Sequence, residues 1–277
     1  MKARLFSYNY ADTFIHRLSG FTKLICFLFL TFAVMYSYDI RVILFIMAFS
    51  IYLMVMSHIR FKQIRLMVYY VLVFLLVNAI ITFFFSPEEG VSIYGTRHEL
   101  ITLFGHYSLT MEQLFYQVTK LLKYASVIPL GMIFLLTTNP SEFASSLNGV
   151  GISYKVAFAV ALTLRYFPDV QRVYTDISQA QQARGLEMSA KANLADRFKY
   201  SLLIIFPLIF STLDRVDMIT NAMDLRGFGK EKRRTWYERK QLCREDYLSL
   251  GVCAILFASS LAVSAFINQS RFYNPFI

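Results

Sequence analysis

Residues 66–85 read LMVYYVLVFLLVNAIITFFF, twenty positions without a charge, bracketed by Arg65 on one side and Glu88 on the other. A helix rises about 1.5 Å per residue, so roughly 20 apolar residues cross the hydrocarbon layer of a bilayer. A helix that is apolar all round belongs either in the core of a large protein or in lipid. The rest of the chain decides between them. Of its 277 residues 56% are hydrophobic and only 17% are charged, against roughly 45–50% and about 25% in an ordinary soluble domain. There is too little charge to clothe a soluble core of this size, so residues 66–85 are read as a transmembrane helix and a soluble enzyme is excluded.

Four further runs extend the reading. Residues 24–38 give fifteen uncharged positions, and residues 42–59 are interrupted only by His58. Residues 247–267 give twenty-one, and residues 114–138 are apolar except for Lys120 and Lys123. The expectation is five spans. The N-terminus has the basic-then-apolar look of a signal peptide, but no small-residue cleavage site follows Met35-Tyr36-Ser37-Tyr38, so it is read as an uncleaved first helix. Cys26, Cys243 and Cys253 form no CxxC pair, which removes disulfide-framework and zinc-knuckle readings.

The formal charge of +10 is unevenly placed. Lys2, Arg4, Arg17 and Lys23 precede the first span, Arg60, Lys62 and Arg65 follow the second, and sixteen basic residues fall within 139–246. The other side holds Arg41, Arg97 and Arg271, with Glu88, Glu89, Glu99 and Glu112 in the loop around Arg97. Basic loops stay inside. The N-terminus is therefore expected in the cytoplasm, the C-terminus outside, and 139–246 in the cytoplasm. The organisation read from this is a four-span region over 1–138, a cytoplasmic region over 139–246, and a last span with a short external tail over 247–277.

Within 139–246 the runs 156–164 and 200–213 are too short to span and are read as buried or interfacial helices. Two further helices look like one design used twice. One is expected to open at Phe167-Pro168 and end at Arg184-Gly185, the other to open at Phe206-Pro207 and end at Arg226-Gly227. Proline suits a helix start and glycine the residue just past its end. Val170, Val173, Tyr174 and Ile177 repeat at helical spacing, as do Ile209, Leu213, Val216, Thr220 and Met223. A basic residue at a helix C-terminus is ordinary, favoured by about 0.3–1 kcal/mol. Two matched Arg-Gly ends on one side of a five-span protein suggest more: arginine forks that clamp carboxylates on two soluble partners.

Other candidates are read conservatively. Lys120 and Lys123 share a face near the outer end of the fourth span, and their stems are expected to snorkel to headgroups. His98 and His106 share the outer loop without a third ligand spaced for metal. Asp169, Asp176, Asp214, Asp217 and Asp224 read as solvated faces or arginine partners. Lys230, Lys232, Arg233 and Arg234 suit anionic lipid, while nucleic acid is not expected because the segment runs into the last span. No GxxxxGK[ST], HExxH or GxSxG is present, so neither ATP hydrolysis nor another nucleophile chemistry is assigned to the chain.

Several of these segments resemble the transmembrane (T) component of energy-coupling factor transporters, the cobalt- and vitamin-importing branch of ATP-binding cassette transporters. Thr13-Phe14-Ile15-His16-Arg17-Leu18-Ser19-Gly20-Phe21-Thr22-Lys23-Leu24 resembles the family's opening motif, with Gly20 where proline is common. Leu135-Leu136-Thr137-Thr138-Asn139-Pro140-Ser141-Glu142-Phe143 resembles its threonine-rich segment. Ala180-Gln181-Gln182-Ala183-Arg184-Gly185 fits the first Ala-Arg-Gly signature. Asn221-Ala222-Met223-Asp224-Leu225-Arg226-Gly227-Phe228-Gly229 fits the second, with Leu225 where alanine is usual, and Arg234-Thr235-Trp236-Tyr237 follows.

The resemblance implies an all-α polytopic membrane protein of about five transmembrane helices with a cytoplasmic coupling-helix domain. It implies two ABC-type ATPase subunits docked at Ala183, Arg184, Gly185, Leu225, Arg226 and Gly227, and a separate integral-membrane substrate-binding (S) component. ATP-driven movement would then serve uptake of a vitamin or transition-metal ion, with no ATPase site and no cofactor in this chain. Two alternatives stay open: a membrane enzyme gripping a phosphorylated lipid-linked substrate, and a non-transporting membrane scaffold.

Overall fold

The structure, a computed structural model, describes residues 13–57, 61–104, 107–185, 194–231, 235–237 and 240–276. Lys2, Arg4, His58, Arg60, His106, Lys232, Arg233 and Arg234 lie outside the described residues. The apolar runs become helices: α1 (Phe14–Arg17), α2 (Gly20–Tyr36), α3 (Ile40–Met56), α4 (Phe61–Phe85), α5 (Glu89–Tyr94) and α6 (Met111–Thr137). Then come α7 (Pro140–Gly149), α8 (Tyr154–Ala183), α9 (Leu194–Leu225) and α10 (Arg244–Ala262), which passes into a π-helical turn at Val263–Ile267. Met67–Phe85, Met111–Thr137 and Arg244–Ile267 are long and apolar enough to cross a membrane. α2 and α3 are apolar too, at 17 residues each, the lower end of the roughly 17–25 a span requires. The chain is an all-α, multi-pass membrane protein.

Side chains at the ends of the runs fix where the helices start. Ser19 Oγ accepts from Thr22 N at 3.3 Å to cap α2. Asp39 accepts from Arg41 N at 2.9 Å to cap α3, and Thr110 Oγ1 accepts from Gln113 N at 3.3 Å to cap α6. Each cap satisfies an amide that the first turn leaves without a partner. Burial opposes the Asp39 charge, but hydrogen bonds from Arg41 and Asn268 outweigh it and hold the carboxyl below the ordinary range.

Residues 13–142 and 240–276 make one compact unit. Its core is Leu30, Ala33 and Val34 of α2, Ile46 of α3, Leu130 of α6 and Cys253 of α10. Phe27 stacks on Phe134 at 5.3 Å and Phe29 on Phe257 at 5.6 Å. Between apolar helices in lipid, packing and polar bonds replace the hydrophobic drive; here Ser260 Oγ of α10 donates to Ala33 O of α2 at 3.2 Å.

The α2–α3 turn, α5 and the residues after the π-helical turn meet at one end. Tyr38 N donates to Arg271 O at 2.8 Å, and Asn274 Nδ2 donates to Tyr94 O at 3.2 Å. The Phe276 ring packs against Tyr94, His98 and Phe115. Gly90 N donates to Gln113 Oε1 at 2.7 Å, bringing α5 directly onto the start of α6. Between them lies a two-stranded antiparallel hairpin, β1 (Glu99–Phe104) and β2 (Tyr107–Thr110). An all-helical reading did not anticipate it, although Ile101, Thr102 and Tyr107 are strand-forming residue types.

Neither Lys120 nor Lys123 snorkels. Lys120 Nζ donates to Thr82 Oγ1 of α4 at 2.7 Å. Lys123 is only 3% exposed, with its ammonium 3.3 Å above the Tyr38 ring. Thr82 of α4 and the Tyr38 ring in the α2–α3 turn supply polar and π partners, so neither stem needs to reach a headgroup.

Residues 143–239 form a second compact unit, built on α8 and α9. Here the expected helix starts at Pro168 and Pro207 are corrected: both prolines lie inside helices, α8 of 30 residues and α9 of 32. An interior proline costs about 3 kcal/mol and one hydrogen bond. Both helices continue through their prolines, and α8 and α9 lie against each other. Leu162 and Val173 flank Pro168 and line a shared cavity with α9. Ile204 is fully buried on one side of Pro207, and Ile219 lines the same cavity on the other. The short apolar runs and the signature helices are therefore continuous elements.

Candidate functional site

Both signature segments end their helices in left-handed turns. Gly185 has φ +90° and Gly227 φ +69°, a region that glycine enters without a Cβ penalty. At the end of α8, Gly185 N donates to Gln182 O at 3.0 Å. At the end of α9, Gly227 N donates to Asp224 O at 2.9 Å and Phe228 N to Met223 O at 3.0 Å, the complete Schellman pair. At both ends the left-handed glycine stops the helix directly after the arginine. Arg184 and Arg226 consequently sit on exposed corners, where the helix dipole favours a cation. Ala183 is exposed beside the first, and Leu225 is 90% exposed beside the second.

Aromatic packing holds the second corner from behind. The Phe228 ring lies 4.8 Å from Phe158 and 5.6 Å from Tyr154, both of α8. Trp236 Nε1 donates to Asn148 Oδ1 at 3.2 Å. The roles of Met223 and Phe228 were missed in the sequence, though an apolar residue straight after Arg-Gly is the available signal for a Schellman cap.

The end of α9 thus rests on the start of α8, and farther along Arg215 of α9 approaches Asp169 of α8 at 3.9 Å. The helices run antiparallel, and the two corners stand at opposite ends of the pair. From Phe158 to Ala183 along α8 is roughly 38 Å at the helical rise. Two arginines so placed cannot grip one small anion. They can engage two separate protein surfaces.

Asp169 also faces Arg172 at 3.8 Å, an exposed pairing of the kind worth at most about 1 kcal/mol. Asp176, Asp214, Asp217 and Asp224 are exposed. Among the described residues no three His, Cys, Asp or Glu side chains gather as a metal site. His98 instead bonds the buried Glu112 at 2.6 Å. Along α9, Leu202, Phe206, Ile209, Phe210 and Leu213 are exposed, an apolar surface of the sort that marks contact with protein or membrane.

A family model described as cobalt transport protein (CbiQ) matches residues 11–237. The chain belongs to this family. The matched CbiQ region includes both Arg-Gly corners and the opening and threonine-rich segments, so the family resemblance read from those motifs is borne out. The energy-coupling factor transporter transmembrane protein EcfT of Streptococcus thermophilus is 24% identical over 255 residues, covering 88% of this chain and 91% of the relative. The EcfT of Exiguobacterium sibiricum is 24% identical, covering 88% and 92%. A putative ABC transporter ATP-binding protein of Bifidobacterium longum is 27% identical over 266 residues. That match takes in 91% of this chain but only 32% of the relative, so the chain spans about a third of that protein.

Proposed function

We propose that the chain is the transmembrane coupling subunit of an energy-coupling factor importer. Two cassette ATPases dock on the Arg184 and Arg226 corners, one at each end of the α8–α9 pair. A separate S component chooses the cargo, a vitamin or a transition-metal ion, and sits against exposed apolar helix surface. Residues 143–239 and the N-terminus lie in the cytoplasm, with the α2–α3 turn and the 86–110 loop outside.

The observation that carries this reading is the separation of two glycine-capped cationic corners by roughly 38 Å of helix. A lipid-phosphate enzyme would bring both arginines to one phosphate, and this arrangement keeps them apart. The Bifidobacterium longum relative adds support, because a protein named as ATP-binding contains a stretch similar to nearly the whole of this chain.

The test replaces Arg184→Glu and Arg226→Glu, singly and together, in the tagged chain purified from its native membranes. Losing a charge-assisted bond costs roughly 1.5–3 kcal/mol, about ten-fold or more in affinity. Each single variant should retain one ATPase in place of two, and the double variant should retain none while inserting normally. Full ATPase recovery with the double variant would mean that the corners do not dock.

A further inference from the structure

Two segments singled out in the sequence have no part in the docking corners: the opening segment with Lys23 and the threonine-rich segment with Glu142. The fold brings them together. Lys23 Nζ donates to Thr137 O at 2.8 Å and approaches Glu142 Oε2 at 3.9 Å. Lys240, remote in sequence, lies 2.7 Å from Glu142 Oε1, and its ammonium also donates to His16 O at 3.2 Å. The Lys23 and Glu142 side chains are 4% and 8% exposed, that of Lys240 40%. Beside them the buried Asp246 accepts from Ser19 N and Cys243 N, both at 2.9 Å.

The place of this cluster in the chain gives it meaning. The chain leaves the membrane-helix unit after Glu142 and rejoins it at Lys240. One carboxylate therefore ties both crossings to each other. Through the carbonyls of His16 and Thr137, the two lysines tie them to α1 and to the end of α6. A solvated tether would absorb movement of 143–239. Glu142 and Lys23 are withdrawn from water, so opening the cluster is resisted because it strands an uncompensated buried charge. α7 begins at Pro140, so Glu142 sits in the first turn of the helix that carries the chain outward.

We propose that Glu142, bridged between Lys23 and Lys240, is the positioning residue of a buried clasp that passes movement of residues 143–239 into α1, α2 and α6. The clasp rests on the coupling-subunit reading given above. Its effect is transmission: the docking corners bind their partners with or without it.

The experiment uses the chain purified in complex with its ATPases and follows peptide-level hydrogen exchange with and without magnesium and a non-hydrolysable ATP analogue. In the wild type the nucleotide should change exchange at residues 180–185 and also at residues 14–36. In Lys240→Gln and Glu142→Gln the response at 180–185 should persist, while that at 14–36 falls at least five-fold. Lys240→Arg, which keeps the charge, should restore it. Lys240 is partly exposed, so its glutamine variant remains informative even if Glu142→Gln folds poorly. A response at 14–36 unchanged in Lys240→Gln overturns the clasp, as does a wild type that responds at 180–185 alone. A wild type without response at 180–185 overturns the coupling reading itself, and the clasp's role goes with it.

Discussion

At Gly90 a single methyl group decides a contact. A Cβ there would stand 2.5 Å from Gln113 N and from the Glu112 carbonyl, both backbone atoms that cannot swing aside. Gly90→Ala should lower stability by about 1–3 kcal/mol through overpacking. Gly251→Ala has open space around it within α10 and should raise stability by up to about 1 kcal/mol through helix propensity. Thermal denaturation of the two variants in one detergent checks both signs; equal midpoints would mean that α5 does not bear on α6. The same neighbourhood marks a limit of sequence reading. Glu112 reads as one more acid in an outer loop, yet it is buried and accepts the His98 amide with both oxygens. Burial of that kind depends on a helix arriving from elsewhere in the chain, and no local pattern encodes it.

At the scale of elements, apolar runs and caps were legible and continuity was not. Gly185 and Gly227 end their helices as their spacing predicts, because a left-handed cap is a local matter. Pro168 and Pro207 mislead for the same reason: locally each is a good helix start, and only the packing of α8 along α9 shows that both helices run through. Each proline lacks an amide, which leaves the carbonyls of Leu164 and Leu203 without their usual helical donors. Pro168→Ala and Pro207→Ala should restore those bonds and stabilise the local helix by about 1–3 kcal/mol. Slower hydrogen exchange over the turn following each site is the expected readout. Unchanged exchange would mean that the helix relaxes around proline at no cost.

For the whole molecule, residues gathered at one end are expected on one side of the membrane. Tyr38 and Tyr94 meet Phe272, and Tyr94 and His98 meet Phe276, as the proposed topology requires. A single label therefore reports on three segments. Arg97→Cys, at an exposed position, should react with an impermeant thiol reagent on intact cells; reaction only after lysis would invert the orientation proposed above. Charge counting could address sidedness because it sums over loops, whereas the clasp of Lys23, Glu142 and Lys240 joins residues too far apart in sequence for any spacing rule.

The lysine over the Tyr38 ring also bears on how the chain is made. A charged residue entering a bilayer alone is costly, and Lys123 belongs to a helix that must be inserted. Tyr38 precedes Lys123 by 85 residues, so the ring is synthesised before the ammonium that it faces in the folded chain. The order of synthesis delivers the acceptor before the cation.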